Sequence, residues 1–135
     1  MNIRNLKGKQ GFTIIELMIV LVIVAILLAL AYPSYVDYVR KGKRGDAQQA
    51  LMNWAVNQEI WRSNHTTYAT TAQLPAANLD YYNLSTVGTP NATTYTLQAV
   101  ATGDQVNDKS RDKATSCGTL TLNQSGVKGP ADCWE

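Results

Sequence analysis

The fold of this chain is decided by residues 12–31, which read FTIIELMIVLVIVAILLALA. Eighteen of these 20 residues are apolar, and only Thr13 and Glu16 interrupt the run. Twenty helical residues span about 30 Å, the thickness of the hydrocarbon core of a bilayer. The other 115 residues are about 37% apolar and contain no second run of this length. The sequence therefore predicts one apolar N-terminal helix and a polar head, and argues against a multi-pass membrane protein or a plain cytosolic enzyme.

Positive charge is concentrated at the N-terminus. The first eleven residues contain Arg4, Lys7 and Lys9 and no acid, and the rest of the chain carries 9 basic against 10 acidic residues. A basic stretch before an apolar run has the outline of an export signal, with the positive flank on the cytoplasmic side. The net charge of +2 is therefore weak evidence for a nucleic-acid partner.

Three interpretations of the apolar run are open. A cleaved signal peptide would use the small residues Ala29 and Ala31, but the run is at the long limit for such a peptide. A plain membrane anchor gives no reason for Glu16, because a carboxylate inside an apolar span costs about 2.5–3.5 kcal/mol. In the third interpretation the acid marks a functional site that has a partner of its own.

The decapeptide GFTIIELMIV at residues 11–20 resembles the prepilin signature of type IV pilins and their relatives. The resemblance implies that a prepilin peptidase cuts between Gly11 and Phe12, and that Phe12 becomes N-methylated. It also implies that Glu16 is the fifth residue of the mature chain. There its carboxylate can pair with the Phe12 amine of a neighbouring subunit and fix the axial register of packed helices.

The resemblance also implies an organisation and a location. Residues 1–11 are a cleaved leader, 12–32 a transmembrane and filament-core helix, and 33–135 a globular pilin head. The precursor is expected in the inner membrane as a single-pass protein, with a cytoplasmic N-terminus and a periplasmic head, and afterwards in the extracellular pilus. Its expected partners are other pilin subunits, the prepilin peptidase and the inner-membrane pilus assembly machinery.

The helix is expected to continue past the apolar run. Pro33 follows the run, and a proline inside a helix removes one hydrogen bond and favours a kink. Residues 34–61 nevertheless keep a helical spacing, and Gly42 and Gly45 predict a second flexible point. The side chains expected to face a sheet are Ala47, Ala50, Leu51, Trp54, Ala55, Gln58 and Trp61.

A basic run lies just beyond the apolar segment and consists of Arg40, Lys41, Lys43 and Arg44. It is open to three interpretations. The run can contact anionic lipid headgroups before assembly, at about 1 kcal/mol per charge. It can pair with acids of neighbouring subunits, or it can be a solvated helix face.

The head is predicted to be an antiparallel sheet of about four strands, which with the long helix gives an α+β fold of the pilin type. The predicted strands are 79–87, 93–102, 117–124 and 127–134, with a polar loop at 103–114. In an exported protein, Cys117 and Cys133 read as a disulfide that closes a loop of about 17 residues. A disulfide-closed C-terminal loop is also a trait of the family that the chain resembles.

The sequence contains no motif for catalysis. His65 is the only histidine, and one histidine with two cysteines that are expected to pair cannot build a usual zinc site. A P-loop, a G-x-S-x-G motif and a glycine-rich phosphate turn are all missing from the sequence. We therefore expect no enzyme activity, no cofactor and no metal.

DNA binding is a second functional class to consider, because some pilins capture DNA for uptake. The candidate contacts are Lys109, Arg111, Lys113 and, expected near them, Lys128. The acids Asp104, Asp108 and Asp112 lie in the same loop and are expected to cancel most of this charge. A nucleic-acid partner is therefore not favoured by the sequence.

The short head, with YPSY at residues 32–35 and CGTLTLNQ at residues 117–124, resembles PilE-type minor pilins. The resemblance implies a structural minor subunit of a type IV pilus. Such a subunit supports pilus assembly, and through it twitching motility, adhesion or DNA uptake. The alternatives are a major pilin, a DNA-receptor pilin for natural transformation and a pseudopilin of type II secretion. Pseudopilin heads often carry calcium, and the aspartate spacing here fits no calcium-loop motif.

Overall fold

The computed structural model describes residues 11–134. Of the predicted leader, only Gly11 is among them, and the rest lies outside the described residues. The chain divides into two compact units between Val36 and Asp37. In the first unit, all side chains of residues 11–35 are exposed. A continuous exposed apolar surface of this kind indicates contact with lipid or with another protein.

Helix α1 spans Ile14–Arg62 and passes through Pro33, so the expected continuation of the helix is confirmed. By length and composition it could cross a membrane. The helix begins with a capping box, in which Thr13 Oγ1 accepts the Glu16 N–H at 3.2 Å and Glu16 Oε2 accepts the Thr13 N–H at 3.1 Å. Glu16 therefore has a role within its own chain. The bends expected at the proline and at the two glycines stay predictions.

In the second unit, α1 buries the predicted stripe. Trp54 and Leu51 are buried, whereas the flanking Ala55 and Trp61 are half-buried. Gln58 is also buried. Its side-chain amide donates to the Ala69 carbonyl at 2.9 Å and accepts the Ala69 N–H at 2.8 Å. This pair of hydrogen bonds satisfies a polar side chain inside the core and fixes the connection that follows the helix.

The sheet is antiparallel throughout, and its four strands lie side by side in the order in which they occur in the chain. In its register, Ala99 of the second strand lies between Leu84 and Leu120. The two central strands alternate buried and more exposed residues, as expected for a sheet with one face on a core. The bounds of the four strands are Tyr82–Thr86 (β1), Thr96–Ala101 (β2), Thr119–Asn123 (β3) and Lys128–Gly129 (β4).

Two parts of the head differ from the prediction. The last strand was expected over 127–134, but β4 ends at Gly129 and a 3₁₀ helix, Ala131–Cys133, follows. Pro130 explains the end of the strand, because proline has no N–H to donate to a ladder. The segment predicted as a loop, 103–114, begins with another 3₁₀ helix, Gly103–Asn107.

The core of the head joins one face of the sheet to the helix. Its largest fully buried side chains are those of Trp54, Tyr82, Leu97 and Leu120, together with the disulfide partners Cys117 and Cys133. Trp134 packs against this core and donates its indole N–H to the Gly129 carbonyl at 3.2 Å.

Candidate functional site

A surface cavity of about 480 Å³ lies within the head, between the first turns of the helix after Asp37 and the segment 107–113. Six basic and two acidic residues are among those that line it. An excess of positive side chains around a concave surface raises the local concentration of anions. The basic residues are Arg40, Lys41, Arg44, Lys109, Arg111 and Lys113, and the acidic ones are Asp37 and Asp108.

Arg40 forms the first contact between the helix and the segment that joins β2 to β3, residues 102–118. Its Nε and Nη2 donate to the two carboxylate oxygens of Asp104 at 3.0 and 2.9 Å, a bidentate arrangement. These hydrogen bonds raise the pKa of Arg40 and hold the pKa of Asp104 below its usual range. At neutral pH both groups are charged, and each largely neutralises the other.

Arg44 forms the second bond, one helical turn further along. Its Nη1 donates to Asp108 Oδ2 at 3.1 Å and to the Lys109 carbonyl at 2.9 Å. Both side chains of the ion pair are about 95% buried. Burial raises the pKa of Asp108 against the opposing attraction of Arg44. A buried pair of this kind fixes geometry more reliably than it adds stability.

Gln105 adds an uncharged bond to the same attachment. It is buried in the 3₁₀ helix, and its Nε2 donates to the Arg40 carbonyl at 2.9 Å and to the Tyr82 hydroxyl at 3.1 Å. The Tyr82 hydroxyl donates in turn to the Cys117 carbonyl at 3.3 Å. The start of the segment is therefore held to the helix and to the sheet at once.

The end of the segment is closed by the disulfide. Cys117 and Cys133 are bonded, as predicted, and both are fully buried. The Cys117 N–H donates to the Asp108 carbonyl at 2.9 Å, and Lys109 forms an isolated β-bridge with Ser116. Residues 109–113 form a tight turn, and these contacts fix both of its ends.

Asp112 holds the turn itself. Its Oδ1 accepts the Ser110 hydroxyl at 2.5 Å and the Ala114 N–H at 3.1 Å. The hydrogen bond from Ser110 lowers the pKa of Asp112. The neighbouring Lys113 adopts a φ of 62°, a left-handed conformation that is uncommon for a residue with a side chain.

Two of the three aspartates, Asp104 and Asp108, therefore do not act as the sequence predicted. Asp104 and Asp108 neutralise Arg40 and Arg44 of the helix, and neither forms an ion pair with a basic residue of its own segment. The reason is tertiary: the arginines are four residues apart, as are the aspartates, so the two pairs meet in register. This shared spacing was the signal in the sequence that the prediction missed.

The basic residues of the turn and Lys41 of the helix keep their positive charge available to a ligand. Within residues 11–134, Lys41, Lys109 and Arg111 form no ion pair, and all three are exposed. Lys113 Nζ lies 3.2 Å from Asp37 Oδ2, but both side chains are at least half exposed, so this pair contributes little. The structure thus brings together Lys109, Arg111 and Lys113, as predicted, and adds Lys41.

Lys128, the fourth predicted contact, is not among the residues that line this cavity. Its Nζ lies 5.1 Å from the centre of the Trp134 ring, and it borders a separate cavity beside Met52 and Val56. Lys128 lies on β4 and borders a different cavity from the other three, so its expected place near them stays a prediction.

Comparisons with known proteins identify both parts of the chain. The prokaryotic N-terminal methylation motif matches residues 6–32. The family described as type IV minor pilin ComP, DNA uptake sequence receptor, matches residues 33–121. Together these two matches cover the apolar helix and most of the head.

Individual relatives agree. The chain is 28% identical over 108 residues to the fimbrial protein EcpC of Eikenella corrodens, covering 75% of this chain and 71% of that protein. It is 39% identical over 66 residues to a fimbrial protein of Neisseria meningitidis serogroup A, covering 44% of this chain and 39% of that protein.

A solved type IV pilin from Shewanella oneidensis has a similar fold, with a TM-score of 0.53 and 34% sequence identity. The similarity covers 71% of this chain and 98% of the Shewanella chain. The long helix, the four-stranded antiparallel sheet and the family match over residues 33–121 are mutually consistent. The chain therefore belongs to the type IV pilin family, within the family described as type IV minor pilin ComP, and is a minor-pilin-like pilus subunit.

Proposed function

We propose that this pilus subunit is a receptor for double-stranded DNA, and that it binds the phosphate backbone at the cavity beside the 109–113 turn. The observation that carries the proposal is the unequal pairing of charge around the cavity. The helix arginines are neutralised by buried or bidentate aspartates, whereas Lys41, Lys109 and Arg111 form no ion pair within the described residues. The description of the matching family as a DNA uptake sequence receptor supports the same function.

The chemistry of the cavity suits a polyanion. Lysine and arginine side chains that neutralise phosphates release condensed counterions, and this release supplies most of the affinity for DNA. A turn fixed at both ends presents its charges at a low entropic cost on binding. Phosphate contacts position a protein on the duplex but carry no sequence information, so this cavity accounts for affinity and not for sequence preference.

A binding assay tests the proposal directly. The full chain in neutral detergent micelles is titrated with labelled duplex DNA at near-physiological salt, and the dissociation constant is measured. The double variant Lys109→Gln, Arg111→Gln should weaken binding on the order of tenfold or more. Unchanged affinity in that variant would exclude the cavity as the DNA site.

The chain offers a matched control. Lys128→Gln removes one exposed positive charge from the same head, outside the cavity. Its affinity for DNA should stay within about twofold of the wild type, because Lys128 does not line the cavity and exposed charges are screened over about 8 Å at physiological salt. If the control variant weakens DNA binding as much as the turn variant, DNA is attracted by the positive charge of the whole head and not by a defined site.

The same function requires export and assembly, and we propose the route that the prepilin signature implies. A prepilin peptidase removes residues 1–11, and Phe12 becomes the methylated N-terminus. The head, residues 33–135, faces the periplasm while the segment 12–32 spans the inner membrane. The assembly machinery then transfers the subunit to the pilus beside other pilins. The family is structural, and we propose that the chain has no catalytic activity.

Glu16 is proposed to direct assembly by pairing with the Phe12 amine of a neighbouring subunit. The exposed position of both residues supports this role, since the Glu16 carboxylate contacts only Thr13 of its own chain within residues 11–134, and cleavage after Gly11 would give Phe12 a free amine. Glu16→Ala should still allow membrane insertion but reduce incorporation into sheared pili, measured by quantitative mass spectrometry. Glu16→Gln can still form the capping box, so its behaviour separates the charge pair from the helix cap. Normal incorporation of the Gln variant would exclude the charge pair.

A further inference from the structure

The basic run that follows the apolar segment is divided by the fold into two sets. Arg40 and Arg44 bind aspartates of the head, and Lys43 Nζ lies 4.2 Å from the centre of the Tyr81 ring. Lys41 alone among the four has none of these partners, and it lines the cavity together with Lys109 and Arg111. Arg40, Lys41 and Arg44 all line the cavity, so an interpretation of the whole run as a lipid-binding stripe is replaced by a cavity to which the run contributes a single charge without an ion-pair partner within residues 11–134.

A tyrosine lies at the same cavity. Tyr38 is 77% exposed and is among the lining residues. Tyr32 and Tyr35, at three-residue intervals before it, are 69% and 66% exposed. Exposed tyrosines that directly follow an apolar span are typical of the membrane–water interface, where the ring is in the apolar layer and the hydroxyl among headgroups.

The cavity therefore combines two features of the headgroup region, a tyrosine and unpaired lysines. Its lining begins at Asp37, six residues after the apolar run ends. Juxtamembrane lysines and arginines attract anionic headgroups over roughly one Debye length. The phosphate group of phosphatidylglycerol is a diester with a single negative charge, and so is each phosphate of the DNA backbone.

We infer that, in the membrane-anchored precursor, this cavity binds the phosphodiester of an anionic phospholipid headgroup. Lys41 and Tyr38 contribute from the helix, and Lys109 and Arg111 from the turn. A consequence rests on the proposed function: lipid and DNA occupy the same cavity and exclude each other. The DNA site is then masked until the subunit leaves the membrane for the pilus.

Lipid retention on the full chain tests the inference. The protein in neutral detergent micelles is mixed with equal amounts of phosphatidylglycerol and phosphatidylcholine, and native mass spectrometry counts the lipids that stay bound. The wild type should prefer phosphatidylglycerol at least fivefold, and Lys41→Gln should reduce that preference about fivefold. Lys43→Gln is the matched control, because it removes an equal charge two residues away and outside the cavity, and it should keep the preference.

Two further arms identify the source of the phosphate and the state of the protein. Millimolar inorganic phosphate should not displace the lipid, whereas displacement would show a site for free phosphate. Lys41→Arg retains the charge and should restore the preference, which excludes misfolding as the cause of a loss. Equal retention of both lipids by the wild type, or equal losses in the Lys41 and Lys43 variants, would overturn the inference.

The same samples separate this inference from the proposed function. Duplex DNA is added to the chain with and without bound phosphatidylglycerol. Competition between them supports both, and simultaneous binding would overturn the shared cavity. Preferential lipid retention without any DNA binding would leave the lipid site standing and exclude the DNA receptor. DNA binding without any preference for phosphatidylglycerol would support the DNA receptor and exclude the lipid site.

Discussion

The helix arginines and the basic residues of the turn carry the same charge but differ in what surrounds them. Arg44 is about 95% buried on Asp108, and Arg40 is held by both oxygens of Asp104. Lys109 and Arg111 are exposed and form no ion pair within residues 11–134. The number of charges in a segment therefore does not predict its electrostatic potential. The partners decide which charges position the chain and which are left to meet a ligand.

Removing the buried arginine should have the largest effect. Arg44→Ala leaves the Asp108 carboxylate buried without its partner, which should lower the free energy of unfolding by about 3–5 kcal/mol. Denaturant unfolding of the full chain in detergent micelles measures the change. Arg111→Ala is the comparison from the turn, and its cost should stay below about 0.5 kcal/mol. Equal costs for the two variants would break the distinction between positioning and contacting residues.

The disulfide closes the segment that carries the turn, so its loss should be the next largest effect. Replacing Cys117 and Cys133 together by serine should cost about 3 kcal/mol, the value expected for a loop of this length. DNA affinity should fall as well, because the end of the turn is then less restricted. If the variant is less stable but keeps full affinity for DNA at a temperature where it is folded, the disulfide does not contribute to DNA binding.

The core of the head predicts a loss of stability at high pH. Burial raises the pKa of Tyr95 to about 12, whereas an unfolded tyrosine ionises near 10. As pH rises above 10 the unfolded state loses its proton first, so stability should fall by about 2 kcal/mol between pH 10 and 12. Tyr95→Phe should remove most of this dependence. An unchanged pH profile in that variant would assign the dependence to other groups, such as Tyr82.

The smallest expected effect concerns the conformation of the turn. Lys113 adopts a φ of 62°, which glycine tolerates without strain. Lys113→Gly should therefore stabilise the head by about 0.5–1 kcal/mol, whereas Lys113→Ala should not, because alanine keeps the strain. Thermal unfolding of the two variants under the same conditions makes the comparison. Equal midpoints would mean that the left-handed conformation is not a cost to this turn.

Much of the fold follows from the sequence, because its decisive patterns are local. The 18 apolar residues in the run 12–31 predict the exposed helical segment, and the alternation of Leu120 and Leu122 with threonines predicts β3. The disulfide also follows once export is accepted. The last strand was predicted too long because Pro130 lacks the N–H that a ladder needs.

The site follows less completely, because it depends on contacts between distant residues. Lys109, Arg111 and Lys113 were identified as a basic group, and they do line one cavity. The partners of the aspartates lie 64 residues away on the helix, and the shared four-residue spacing is the one sign of this pairing in the sequence. In the sequence, Lys41 is only one member of a basic run. Because the pairing of distant residues is a property of the folded head, local sequence does not determine the charge balance around the turn.

The salt dependence of DNA binding tests the central claim most directly. The logarithm of the association constant is measured against the logarithm of the salt concentration for the wild type and for Lys109→Gln, Arg111→Gln. If both side chains contact phosphates, the magnitude of the slope should fall by about two, one for each contact. A variant that keeps the wild-type slope would contradict the claim, because the charges left unpaired by the fold would then not be the ones that meet DNA.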